Sequence, residues 1–98
     1  MTEPLADETV VTRSSAALSR RVLDGVLVLA PEMSEPLRVT TPGEVLWAML
    51  GERCTVAELV AVWSALYKIP TEAARADIEP VLGAWLAGGA VIEDKHLR

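Results

Sequence analysis

At Thr41 the apolar residues of this 98-residue chain change their spacing. Upstream they recur at every second position, the period of a strand. Downstream they recur every three or four positions, the period of a helix. A chain patterned this way folds as sheet first and helices second, which limits it to an α+β architecture.

Upstream, residues 17–23 and 26–30 are two β-prone runs joined by Asp24-Gly25, which reads as a hairpin with a tight primed turn. In the first run Leu18, Arg20 and Val22 face one way and Ser19 and Arg21 the other. The second run is apolar on both faces, as suits a central strand covered twice. Residues 31–35 form a loop. Leu37-Arg38-Val39 is a short third strand, whose length and preceding Pro36 favour an edge position.

Downstream, Thr41 can cap a helix with Pro42 at its first position and Glu44 reaching back to close a capping box. Val45, Leu46, Met49 and Leu50 form its apolar stripe, and Gly51 stops it. Thr55-Val56-Ala57-Glu58 is a second capping box. Val56, Leu59, Val60, Trp63, Leu66 and Tyr67 carry that stripe to about Lys68, before Pro70. A third helix starts at Thr71 or at Asp77, with Ile78, Val81, Leu82, Trp85 and Leu86 on its stripe. Proline deep inside a helix costs about 3 kcal/mol. A start at Thr71 therefore predicts a kink or break near Asp77, just ahead of Pro80. Gly88-Gly89 ends the helix, and Ala90-Val91-Ile92 is a terminal strand or extended stretch. The order is βββααα, a three-stranded antiparallel sheet covered on one face by three short helices.

Residues 1–15 are polar, acidic and aperiodic, and read as a disordered acidic arm; the alternative is a short extra strand formed in a crystal or partner contact. The folded domain spans residues 16–93, and 94–98 form a polar tail. The net charge is −5, but Glu3, Asp7 and Glu8 lie in the first twelve residues, so the remainder carries 9 basic against 11 acidic residues. A near-neutral body with an acidic arm matches DNA phosphates poorly. The arm has no apolar stretch of signal-peptide length, and the longest strongly apolar run, 26–30, is too short for a bilayer. With Cys54 the one cysteine, no disulfide forms within the chain, which fits a reducing, cytoplasmic setting.

Chemistry-bearing constellations are sparse. His96 is the one histidine and lies in the tail, so neither a Ser-His-Asp nor a Cys-His arrangement can be assembled. Cys54 precedes the cap of the second helix, where a helix N-terminus can lower a thiol pKa, but no base accompanies it. One cysteine and one histidine exclude a structural zinc site within one chain. Asp77 and Glu79 point in different directions on a helix, and Glu93-Asp94 reads as a solvated end. Gly88-Gly89 follows a helix, so it presents carbonyls where a phosphate loop needs amides. Neither catalysis nor a cofactor is expected. Trp47, Trp63 and Trp85 fall one on each helix. Trp63 fits a small helical core, whereas Trp47 and Trp85 lie where they can be half exposed and anchor a bound peptide.

Taken in order, the Val26-Leu27-Val28-Leu29 run, the helix entry Thr41-Pro42-Gly43-Glu44-Val45-Leu46-Trp47 with Met49-Leu50, and the start Thr55-Val56-Ala57-Glu58-Leu59 form a pattern. It closes with Asp77-Ile78-Glu79-Pro80-Val81-Leu82-Gly83-Ala84-Trp85 and then Gly89-Ala90-Val91. This stretch, residues 21–91, resembles the PqqD-like family. The resemblance implies a winged helix-turn-helix domain acting as a RiPP recognition element, which holds the leader of a ribosomally made precursor peptide for a modifying enzyme, cyclase or leader protease. It implies that the leader adds as a strand beside the third strand, against the third helix. By position, Leu37, Arg38, Val39 and Thr40 offer the edge, and Ile78, Val81, Leu82 and Trp85 line the groove. Arg75, one turn before Ile78, meets an acidic leader residue. Ile78 and Leu82 fit a core role equally well, and Arg38 either meets a ligand or blocks self-pairing. Pro80, and Trp85 in a slot usually held by leucine, depart from the family pattern.

A DNA-binding winged helix is the competing class, but the third helix has Arg75 as its one base against Glu72, Asp77 and Glu79. An accessory subunit of another biosynthetic enzyme is a third. Neither nucleic acid nor membrane is expected as a partner, and a monomer and an edge-paired dimer both fit.

Overall fold

A computed structural model describes residues 5–31, 33–40 and 42–94. The helices fall where the 3.6-residue period put them: α1 (Gly43–Met49), α2 (Val56–Tyr67) and α3 (Thr71–Gly88). The hairpin and third strand are β2 (Leu18–Val22), β3 (Gly25–Leu29) and β4 (Leu37–Val39), antiparallel in the order β2-β3-β4. The arrangement is α+β, but the single sheet expected from the sequence is two. Arm residues Val10–Arg13 form a strand, β1, which pairs with β5 (Cys54–Thr55) on one side and β6 (Val91–Glu93) on the other.

The first fifteen residues are therefore not a disordered arm: from Leu5 onward they are built into the domain, while residues 1–4 lie outside the described residues. Val11 is fully buried at the centre of the β5-β1-β6 sheet. Helix ends leave backbone groups unpaired, and the arm supplies partners for two of them. The Arg13 N–H donates to the Leu50 carbonyl (3.1 Å) and its Nε to the Trp47 carbonyl (3.0 Å), at the end of α1. At the start of α2, the Val56 N–H donates to Thr9 O (2.9 Å) and the Ala57 N–H to Asp7 O (3.0 Å). The next amide, of Glu58, donates to Thr55 Oγ1, and the Glu58 carboxylate accepts from the Thr55 N–H, completing the expected capping box. The box expected at Thr41 lies outside the described residues. Pro42 is the N-cap of α1 rather than its first helical residue.

Two turns differ from expectation. The β2–β3 connection uses Leu23 and Asp24, with Val22 paired to Gly25. Neither turn residue has positive φ, so the turn is not of the primed type. Gly25 instead admits a close approach: a Cβ there would lie 2.3 Å from the Val39 carbonyl oxygen on β4. Helix α3 starts at Thr71 and runs to Gly88 without the break expected near Asp77. Pro80 sits on its exposed side, and the carbonyl it leaves unpaired belongs to exposed Ala76, which water can satisfy. Gly89, at φ 82°, ends the helix in the left-handed conformation.

One core joins all layers. Val28 from the hairpin, Leu46 from α1 and Leu50 just after it, Val56 and Leu59 from α2, and Ile78 and Leu82 from α3 are each at most 1% exposed. No helix among the described residues is long and apolar enough to cross a membrane.

Candidate functional site

The expected binding edge is present as β4, which among the described residues pairs with β3 and with no other strand. Its hydrogen-bond phase follows from the register. Val22 and Gly25 close a two-residue turn, so they exchange both hydrogen bonds, and bonded pairs then alternate along the ladder. Leu18 and Arg20 are bonded across to Leu29 and Leu27. Val26 and Val28 therefore bond to Val39 and Leu37 on the other side of β3. The N–H and C=O of Arg38 are left pointing away from β3, at the open edge. Thr40 adds an N–H in the same phase, but its carbonyl already accepts from the Glu44 N–H (3.0 Å). Leu37 is half-buried, Val39 is buried and faces the core, and the exposed Arg38 side chain donates to Asp24 Oδ1 (3.0 Å).

The helical half of the expected groove is not formed by the residues assigned to it. Ile78, Leu82 and Trp85 are core residues, at most 5% exposed. Trp85 packs edge-on against Trp47, with ring centroids 5.5 Å apart. Both tryptophans are buried, so neither is the half-exposed anchor that its position suggested. Trp63 is buried as expected, and its indole N–H reaches Asp77 Oδ2 (3.4 Å). Val81 is half-buried. The main packing partners of α3 are α2 and β6, while β4 packs against β3 and α1. One link joins the two regions: a Cβ on Gly88, at the end of α3, would meet Met33 of the β3–β4 loop at 3.1 Å.

Arg75 already has partners. It donates to the Leu5 carbonyl (2.8 Å), to Glu79 Oε2 (2.7 Å) and to the Asp7 carboxylate. Its guanidinium is held above the ordinary arginine range, first by the hydrogen bond to Glu79 and then, against some desolvation, by the charge of Asp7. The expected contact with an acidic residue is thus made within the chain, by the arm. Burial, and then the charge of Glu58, push the Cys54 thiol above its usual range, the opposite of an activated cysteine. Among the described residues no polar or charged residue is buried, and no group of three or more His, Cys, Asp or Glu can hold a metal. His96 lies outside the described residues.

One surface was not anticipated from the sequence. Expected to be covered on both faces, β3 is covered on one. Its outward residues Leu27 and Leu29 face open space together with Leu18 of β2, which is 70% exposed. With Arg20 and Pro36 they line a shallow depression of about 290 Å³. The signal is in the sequence: an apolar run on both faces of a hairpin strand needs a second cover, and no element among the described residues provides one.

No protein-family model, curated protein or solved structure matches this chain.

Proposed function

We propose that this chain is a non-catalytic peptide-binding domain of winged-helix type. In this reading it captures the leader region of a ribosomal precursor peptide by strand addition to β4 and delivers it to a modifying enzyme, cyclase or protease. The observation that carries the reading is the β4 edge, where the N–H and C=O of Arg38 point outward with no strand of the described residues beside them. Backbone pairing supplies affinity there. The Arg38 guanidinium, exposed and paired with exposed Asp24, can exchange that partner for a leader carboxylate. In place of Ile78, Leu82 and Trp85, the groove wall is the half-buried Leu37 of β4 and Met33 of the loop that leads into it. A DNA-binding role is disfavoured, because the one base of α3 is neutralised by two carboxylates.

The test is a fluorescence-anisotropy titration with a labelled leader peptide encoded beside this gene. Micromolar or tighter binding is expected, about −8 kcal/mol or better. Arg38→Pro removes the outward N–H and leaves the β3 ladder untouched, and it should weaken binding at least about tenfold. Arg38→Ala keeps the N–H and should weaken it less. If no such leader binds, or if Arg38→Pro binds as well as the parent chain, the reading is wrong.

A further inference from the structure

The opposite edge of the same sheet is longer and barer. Among the described residues β2 pairs with β3 only, and residues Leu18 to Arg21 are all exposed. The phase that frees Arg38 on β4 also turns the N–H and C=O of Ser19 and Arg21 away from β3. Two residues thus offer both backbone groups to a neighbour, where β4 offers one. The side chains beside this edge are specific in kind. On the outer face Leu18 lies opposite Leu29, and Arg20 opposite Leu27, over the apolar depression. Arg21 is held by Glu44 and Arg38 by Asp24. Arg20 makes no ion pair among the described residues.

Two occupants can be compared on charge. A second copy adding β2 to β2 in antiparallel fashion brings Arg20 and Arg21 of both chains together, and like charges facing each other across strands are destabilising. An extended segment with an apolar residue beside Leu18 and a carboxylate beside Arg20 meets no such conflict. It covers the exposed leucines and gives Arg20 its partner.

We propose that the β2 edge is a second strand-addition site, which takes from a partner protein an extended segment whose outward-facing residues, two apart in sequence, are in turn apolar and acidic. The domain is then two-sided. It holds a peptide on β4 and docks its partner through β2, with β3 shared between them. The β2 site stands on its own geometry and holds whether or not β4 binds a leader.

The probe is a short synthetic peptide with leucine and glutamate at alternate outward positions and threonine between them; its control has lysine for glutamate. Two-dimensional amide NMR on the full chain should show the acidic peptide slowing exchange at Ser19 and Arg21, with Arg38 and Thr40 unaffected. The lysine peptide should not bind. Ser19→Pro deletes one outward donor without touching the β3 ladder, and Arg20→Glu reverses the charge at an exposed position that does not threaten folding. Each should weaken binding about tenfold or more. Protection at Arg38 instead, unchanged affinity in both variants, or peptide-free dimers whose β2 amides are protected would overturn the proposal. Leader binding that responds to Arg38→Pro but not to Ser19→Pro separates the fate of this site from that of β4.

Discussion

The two sheets of this domain have the same number of strands and opposite designs. β5-β1-β6 is assembled from three distant parts of the chain, and its central strand buries Val11 completely. β2-β3-β4 is a local meander with one face on the core and an outer face bearing Leu18 and Leu29 in the open. The first sheet closes the domain: its middle strand also satisfies the end of α1, and Thr9 and Asp7 just before that strand satisfy the start of α2. The second presents edges. A sheet that brings chain ends together spends its backbone groups inside the molecule, while a meander keeps its outer ones for neighbours.

The same chemical change should therefore have different consequences in the two sheets. Val11→Asp places a carboxylate where the side chain is fully buried and no cation waits. It should cost about 4 kcal/mol or more, enough to unfold a domain of this size. Leu18→Asp, at a position 70% exposed, should change stability by about 0.5 kcal/mol or less. Denaturant melts of the two variants measure the contrast directly, and equal losses would remove the distinction between a closing and a presenting sheet.

Gly25→Ala probes the presenting sheet from within. The added Cβ would fall 2.3 Å from the Val39 carbonyl oxygen, so β4 must move. A loss of about 2 kcal/mol is expected. It should be local: amide exchange should quicken at Leu37 and Val39 and stay slow at Val11. Leader binding at β4 should fall with it. Faster exchange throughout the β1 strand would show the two sheets to be one cooperative unit.

That contrast also explains what the sequence could reveal. The hairpin, β4 and all three helices are legible because local period sets each of them, although the β2–β3 turn uses other residues than expected and α1 and α3 start without a side-chain cap. The Thr55–Glu58 box was correctly read as the start of α2. β1 was not legible. Val10-Val11-Thr12-Arg13 is short and bordered by polar residues, and it becomes a strand because Cys54–Thr55 and Val91–Glu93 lie on either side of it. No local pattern encodes a pairing between residues so far apart. The site divides in the same way. The β4 edge was visible in Pro36 and the brevity of the strand. The groove wall was misassigned because Ile78, Leu82 and Trp85 share one helical stripe, which marks a core face and a binding face alike. Of the partners of Arg75, Glu79 is legible one turn along the same helix, while Leu5 and Asp7 are not, because they lie in the arm. Pro80 was misjudged because its cost depends on which side of the helix it faces.

The seam between arm and helices gives a smaller test. Thr55→Ala removes the side chain that caps the Glu58 N–H and should cost about 1 kcal/mol. The remaining caps come from Thr9 and Asp7 in the arm, so the loss should not exceed that of an isolated cap. A larger loss, read from the same denaturant melts, would mean that the capping box also holds β5 against β1.

Cys54, on that seam, carries the smallest expected effect. Its thiol is pushed above the ordinary range first by burial between β1 and α2 and second by the charge of Glu58. A thiol with a folded-state pKa above its unfolded value contributes stability that is complete below the unfolded value. That contribution is lost as the pH rises through the folded one, because the unfolded chain then sheds its proton more easily. Stability should thus decline in the alkaline range and not near neutrality, and the decline should disappear in Cys54→Ser. At mildly alkaline pH, iodoacetamide should alkylate Cys54 more slowly than it alkylates free cysteine, since the thiolate is the attacking species. Glu58→Gln keeps the hydrogen bond of the capping box but removes the charge, so it should restore only part of the rate. Burial, the larger cause, remains in that variant. Full recovery of the rate would mean that Glu58 alone raises the thiol pKa, and that the closing sheet is open enough at β5 to expose the sulfur.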